Sequence, residues 1–255
     1  HRKGRSDQGS SRGLDARVLE RASGLKAELP ARSVRQIIDI MAAEGAIEPG
    51  SVSRSTLARH LKESGCMDIP RRPAKGVKRF VKAKPNQLWQ GDLKYGPYVP
   101  DASGKPRRTY LIAFIDDRSR LITHAEFYFD QDGHSLEHCL RRAILKRGVP
   151  EAVFVDNGKI FVSRVLRTAC ATLGVRHLAA APYSPASKGK IERWIGAADR
   201  SFIQELKVSP ALSLEELNRR FWGWLDEFYH RRRHSSLEGK TPLDAWQAGI
   251  KDVRA

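Results

Sequence analysis

Three extended runs follow one another from Leu88, at 88–95, 109–115 and 121–128, before any helical periodicity sets in, and this succession restricts the fold more than any other feature of the chain. Strands joined without an intervening helix pair antiparallel, so the three are expected to form a meander. A helical pattern follows at 134–147, with Leu136, Leu140, Ile144 and Leu145 facing inward and Gly148 as its cap. An extended run at 151–155, a helix at about 161–173, a second run at 175–178 and helices at about 187–207 and 213–230 complete the order. The expectation is therefore an α/β domain with a mixed five-stranded sheet and flanking helices.

Three acids interrupt these elements. Asp92 lies inside the first run, where an unpaired carboxylate is costly unless a cation or hydrogen bonds compensate. Asp156 ends the apolar run Ala152 to Val155 and opens an Asp-Asn-Gly turn, and the carboxyl ends of strands are where α/β sheets present their chemistry. Glu192 opens a helix after a loop rich in Pro, Ser and Gly. Cutting or joining a phosphodiester needs an activated oxygen nucleophile and a stabilised leaving oxygen, which two divalent cations about 4 Å apart supply. Mg²⁺ prefers carboxylate oxygens, so Asp92, Asp156 and Glu192 are read as catalytic residues and metal ligands for two ions, with Mn²⁺ able to substitute. Taken singly, Asp156 reads as a turn former and Glu192 as an acid that complements the helix dipole. Asp116 and Asp117, in a turn followed by Arg118-Ser-Arg120, read as structural.

A formal net charge of +17 across 255 residues favours a polyanionic partner. Residues 1–84 carry 19 Lys and Arg against 9 Asp and Glu, which concentrates the basicity toward the N-terminus. Cys66, Cys139 and Cys170 form no Cys-x-x-Cys pair, so neither a zinc site nor a disulfide framework is expected and an intracellular, reduced protein is. The apolar run Tyr110–Ile115 is far short of the roughly 20 residues of a membrane helix, and no secretory signal is evident. Because the chain opens on His1, a fragment or processed product is expected.

Residues 1–68 read as an all-α helix-turn-helix module. Leu14, Val18, Leu19, Ala22 and Leu25 mark one helix, and a Ser33/Gln36 capping box opens a second that ends near Gly45. A third begins near Ser53, with Leu57, Ala58 and Leu61 inward. In that layout the last helix enters the major groove of DNA, and Arg54, Thr56 and Arg59 are its readers. A small helical bundle with solvated arginines is the plainer reading. Residues 69–87, dense in Lys and Arg with interspersed Pro and Gly, read as a basic linker; 88–208 as the catalytic core; and 209–255 as a helical extension, in which Phe221, Trp222, Trp224, Leu225 and Phe228 read as core packing.

Four stretches in order carry a resemblance: Trp89-Gln-Gly-Asp92; Tyr110-Leu-Ile-Ala-Phe-Ile-Asp-Asp-Arg-Ser-Arg120; Val155-Asp-Asn-Gly158 with Phe161; and Pro182-Tyr-Ser-Pro-Ala-Ser-Lys-Gly-Lys-Ile-Glu-Arg193. A fifth, Tyr229 to Pro242, is similar to the segment that follows them in the same family. The chain resembles the integrase-core (DDE) transposases of bacterial insertion sequences, relatives of retroviral integrases. The resemblance implies a ribonuclease H-like core, the triad Asp92, Asp156 and Glu192, and DNA strand cleavage and transfer at element ends without a covalent protein–DNA intermediate. Lys188, Lys190 and Arg193, which flank Glu192, are expected to hold DNA phosphates. Double-stranded DNA at element ends and target, a homo-oligomer on DNA, no membrane, and a bacterial cytoplasmic, nucleoid-associated location complete the reading; an accessory ATPase stays open. The alternatives are a catalytically inactive DNA-binding regulator and a nuclease of the same fold.

Overall fold

The computed structural model describes residues 14–66, 81–179 and 188–249. The chain divides into two compact units, His1–Ala74 and Lys75–Ala255. In the first, α1 (Ala16–Glu28), α2 (Val34–Ala43) and α3 (Arg54–Glu63) enclose Ala22, Leu25, Ile37, Met41, Leu57 and Leu61. The Ser33/Gln36 box caps α2, with Gln36 N–H donating to Ser33 Oγ at 3.2 Å and Ser33 N–H donating to Gln36 Oε1 at 2.9 Å. Gly45, at φ 71°, ends α2 with its own N–H on Ala42 O and the Ala46 N–H on Met41 O. The connection from α2 to α3 differs from the tight turn of a helix-turn-helix. It runs from Glu44 to Ser53, well beyond three or four residues, because Ile47 is buried within it and Gly50 (φ 84°) turns the chain back.

In the second unit β1 (Trp89–Pro100), β2 (Pro106–Asp116) and β3 (Ile122–Tyr128) form the antiparallel meander, and β4 (Ala152–Val155) and β5 (Arg176–Ala179) pair in parallel beyond β1, in the order β3-β2-β1-β4-β5. Alternation along β2 divides the core. Ile112 and Phe114 join Trp89, Val153 and Val155 under α4 (Gly133–Arg147) and α5 (Arg164–Thr172). Ala113 and Ile115 join Ile191, Trp194, Leu217 and Phe221 under α6 (Gly189–Ala198) and α7 (Leu214–Gly223). Leu145, expected inward, is 79 % exposed: α4 buries Leu136, Cys139, Leu140 and Ala143, and that stripe leaves position 145 outside it. The long helices expected at 187–207 and 213–230 are interrupted, since α6 passes into a π-turn at Asp199–Ile203 and α7 into another at Trp224–Tyr229. The segment read as an extension shares one hydrophobic cluster with the sheet through Leu217, Phe221 and Leu225, while Phe228 is exposed. A short helix, α8 (Pro242–Gln247), buries Trp246.

The last residues of the segment read as a linker bond to the second unit. Lys82 N–H donates to Asp117 Oδ2 at 2.8 Å, and Asn86 N–H donates to Asp116 Oδ1 at 2.8 Å. Trp89 Nε1–H in turn donates to Asn86 Oδ1 at 2.8 Å. Asp116 and Asp117, fully buried in the β2–β3 turn, need these donors, so the chain from Lys82 onward belongs to the core.

Two packing details expose the sheet's requirements. β3 is an edge strand, and Asn218 of α7 closes it by accepting the Phe127 N–H at 2.8 Å and donating to Phe127 O at 2.9 Å; Trp222 adds a bond from Nε1–H to Ala125 O. At Gly91 a Cβ would meet Phe114 Cε1 at 2.7 Å and Val155 Cγ1 at 3.0 Å, so any larger residue there must displace the packed Phe114 and Val155 side chains. Asn218→Leu is expected to lose about 1–3 kcal/mol in urea unfolding by leaving both Phe127 backbone groups unpaired, and to raise self-association in size-exclusion chromatography. Gly91→Ala is expected to lose about 1–3 kcal/mol in the same measurement through overpacking.

Candidate active site

Along β1, Gln90, Asp92 and Lys94 share one face by strand alternation, and each meets α6 or its continuation. Gln90 Oε1 accepts the Ile191 N–H at 3.4 Å, and Lys94 pairs with Asp199 at 2.5 Å. Between them Asp92 meets Lys188, the residue that precedes α6. The parallel pairing of Trp89 with Val153 and Gln90 with Phe154, continued by two places, sets Asp92 beside Asp156 just past the end of β4.

There one ammonium joins the two acids. Lys188 Nζ donates to Asp92 Oδ1 at 2.8 Å and to Asp156 Oδ2 at 3.1 Å, and lies 5.9 Å from the centre of the Phe161 ring. Lys188 is 7 % exposed. Asp156 keeps its other oxygen for the Gly158 N–H at 2.8 Å, a bond that fixes the carboxylate in the turn. A Cβ at Gly158 would stand 2.8 Å from that same oxygen, which is why glycine follows. Burial pushes the Asp92 carboxyl above its ordinary value; the Lys188 charge and hydrogen bond oppose this, and the neighbouring Asp156 adds to it.

Glu192 stands apart from this pair. It lies in the first turn of α6, exposed, with its backbone N–H on Lys188 O at 3.2 Å. Among the described residues no three His, Cys, Asp or Glu side chains converge as a ligand set. The structure thus joins Asp92 to Asp156 through an ammonium and carries Glu192 one helical turn from the residue that bridges them. Two carboxylate oxygens from separate elements converging on a single cationic nitrogen are a donor set chemically suited to a hard cation.

The residues expected to hold DNA separate. Lys188 is engaged by the two aspartates, and Lys190 turns inward onto the Asp117 carboxylate, where burial holds its ammonium below the ordinary value against the pull of that carboxylate. Arg193 is exposed on α6. In the first unit Arg54 and Arg59 are exposed, Arg59 standing 4.0 Å from Glu63, while Thr56 is half-buried with its hydroxyl 2.8 Å from Ser53 Oγ in the cap of α3. Sequence reading missed Gln90 and Lys94. The signal was the period-two recurrence of polar residues at 90, 92 and 94 in a strand otherwise suited to burial.

Two models described as integrase core domain match residues 82–185 and 173–242, and together they span well over half of the chain. The transposase for transposon Tn552 of Staphylococcus aureus is 24% identical over 184 residues, which are 65% of this chain and 38% of that protein. A 39.2 kDa protein of insertion element IS476 of Xanthomonas euvesicatoria is 26% identical over 210 residues, 80% of this chain and 58% of that protein. The chain therefore spans less than two thirds of either relative. Among solved structures, the simian T-cell lymphotropic virus intasome in complex with PP2A regulatory subunit B56 gamma matches with a TM-score of 0.58 at 20% identity, over 82% of this chain and 73% of that one. The HTLV-2 integrase catalytic core domain, solved in complex with magnesium, matches at 0.52 and 21% identity over 64% of this chain and 97% of its own. The structural likenesses show a ribonuclease H-like fold, and the two matching models, which together span residues 82–242, make the chain a member of the integrase core domain family.

Proposed function

We propose that the protein is a DDE-type transposase that binds the ends of a mobile element and catalyses DNA strand cleavage and strand transfer with divalent metal. The observation that carries this reading is the convergence of Asp92 and Asp156, from β1 and the end of β4, on one cationic centre beside the helix that bears Glu192. The transposase and insertion-element relatives supply the substrate class.

In this reading Asp92, Asp156 and Glu192 hold two Mg²⁺ or Mn²⁺ ions, which would activate water or a 3′-hydroxyl and offset charge on the scissile phosphate. Asp92 is set by the β1–β4 register and Asp156 by its bond to Gly158, so two of the three carboxylates are positioned before any ligand arrives. Occupation of the site requires Lys188 to leave the two aspartates, and its released ammonium then lies next to the substrate phosphate. Glu192 joins from the first turn of α6. The side chains act only as ligands and charge partners, so no covalent protein–DNA bond forms. Arg54, Thr56 and Arg59 of α3 read the element end, and Arg193 holds backbone phosphate. Synapsis of two ends implies an oligomer on DNA.

A gel assay with labelled ends of the parent element in Mg²⁺ or Mn²⁺ tests the reading. Asp156→Asn is expected to lower both shortened and joined products by about 10³-fold or more relative to wild type. Shortened without joined products from the wild type would instead identify a nuclease, and specific binding without either product a regulator. Calorimetric titration with Mn²⁺ in the absence of DNA tests the part played by Lys188. Lys188→Gln removes the competing cation and leaves two facing carboxylates, so it is expected to bind Mn²⁺ about 10-fold more tightly; equal or weaker binding would remove Lys188 from this role.

A further inference from the structure

Across the β1–β2 hairpin Tyr95 faces Tyr110 and Tyr98 faces Arg108, so Gly96 and Pro97 together oppose Thr109 alone. The extra residue is a β-bulge, and it reverses the alternation of β1. Leu93 packs with the cluster under α4 and α5, whereas Val99 is buried in the cluster under α6 and α7. Tyr98 is thereby turned to the side of Tyr95, which an unbroken strand would put on the opposite face. Local packing fixes the bulge. The Thr109 hydroxyl donates to Pro97 O at 2.8 Å, and a Cβ at Gly96 would collide with Thr109 Oγ1 and stand 2.9 Å from Phe127 Cε1. Pro97 has no N–H to lose from the ladder.

The bulge assembles a solvent-facing stack. The Arg108 guanidinium lies 4.8 Å from the centre of the Tyr98 ring and 5.4 Å from that of Tyr95, and the Tyr110 ring lies 5.5 Å from Tyr95. Tyr95 is 56 % exposed and Tyr98 59 %. Rings left this open forgo the burial that makes aromatic residues stabilising, so fold stability does not account for their exposure. Of the cations at this end of the hairpin, Lys105, Arg107 and Arg108, Arg107 alone forms an ion pair among the described residues, with Asp130 at 2.7 Å. A second copy of this face would bring guanidinium toward guanidinium, because a two-fold interface is self-complementary. An unpaired nucleotide meets every part of the patch: bases stack on open aromatic rings whatever their sequence, and a guanidinium fork matches phosphate oxygens. The formal net charge of +17 favours the same partner.

We propose that Tyr95, Tyr98 and Arg108 form a stacking site for an unpaired nucleotide of DNA, its base against the tyrosine rings and its phosphate against the guanidinium. The site rests on the function proposed above, since strand cleavage is what frees an unpaired end. Tyr95 follows Asp92 by three residues on β1, about 10 Å along the strand, which is the reach of about three nucleotides. β4 pairs with β1 at Trp89 and Gln90, and past that point no strand among the described residues covers this edge of β1. A single strand leaving Asp92 therefore has a path across that edge to the face that carries the tyrosines.

The test is fluorescence anisotropy in EDTA, with a labelled blunt duplex and the same duplex carrying a short single-stranded overhang that contains 2-aminopurine. Wild type is expected to bind the overhang duplex about 10-fold more tightly than the blunt one and to quench the 2-aminopurine emission. Tyr95→Leu/Tyr98→Leu is expected to lose the preference and the quenching and to keep wild-type affinity for the blunt duplex. Tyr95→Phe/Tyr98→Phe, which keeps both rings, is expected to retain them. Thermal unfolding checks the fold; if the leucine pair does not fold, wild type and the phenylalanine pair decide, because both must show preference and quenching. Equal affinity of the wild type for the two duplexes would overturn the site. So would a folded leucine pair that keeps the preference, and its loss of self-association in size-exclusion chromatography would then assign the face to a second copy. Cleaved and joined products in Mg²⁺ from a wild type without the preference would sink this site alone. The preference without such products would uphold the stacking site and refute the catalytic reading.

Discussion

Two buried carboxylates in the β2–β3 turn hold the architecture in register. Asp116 and Asp117 are fully shielded from water, and a buried charge survives only where donors surround it. Asp116 takes its donors from the turn itself and from Asn86, which in turn orients Trp89 at the start of β1. Asp117 takes its donors from Lys82, from Gln90 of β1 and from Lys190 of α6. One turn thereby fixes where β1 begins and how α6 crosses it. Burial pushes the Asp116 carboxyl above its ordinary value despite the bonds from Ser119 and Asn86, a measure of how strongly the interior disfavours the charge that these donors stabilise.

The candidate active site depends on that crossing. α6 lies along the polar face of β1 through Gln90, Asp92 and Lys94, with Ile191 and Trp194 packed into the cluster beneath. Apolar packing gives the helix its stability, while the polar contacts select its position along the strand, because hydrogen bonds and ion pairs are directional where apolar contact is not. Lys188 illustrates the selectivity. Its ammonium reaches two acids from different elements because the parallel β1–β4 register brings Asp92 beside Asp156 and because the Asp156 turn closes on Gly158. Lys190 shows the same turn working outward, since it satisfies Asp117 from α6.

Much of this is legible along the chain. The strand and helix order, the capping box at Ser33 and Gln36, the structural character of Asp116 and Asp117, and the placement of Asp92, Asp156 and Glu192 at strand interior, strand end and helix start follow from local periodicity and turn chemistry. The exposure of Leu145 is not legible, because the helical period does not reveal how wide a stripe the sheet will cover. Nor is the long turn between α2 and α3, because the burial of Ile47 depends on the bundle it packs against. Lys188, Lys190 and Arg193 look alike as a basic flank, yet the structure sends the first to the two aspartates, the second to Asp117 and the third to the surface.

The sequence by itself determined the fold class, the elements that bear the three acids and the strongly basic character of the chain, because periodicity, turn residues and net charge are properties of neighbouring positions or of composition. Only the tertiary structure decided which charges meet. Lys188 and Asp92 are 96 residues apart, and Lys190 and Asp117 are 73 apart. Contacts across such separations are set by strand register and by the packing of α6 on β1, which no local pattern encodes.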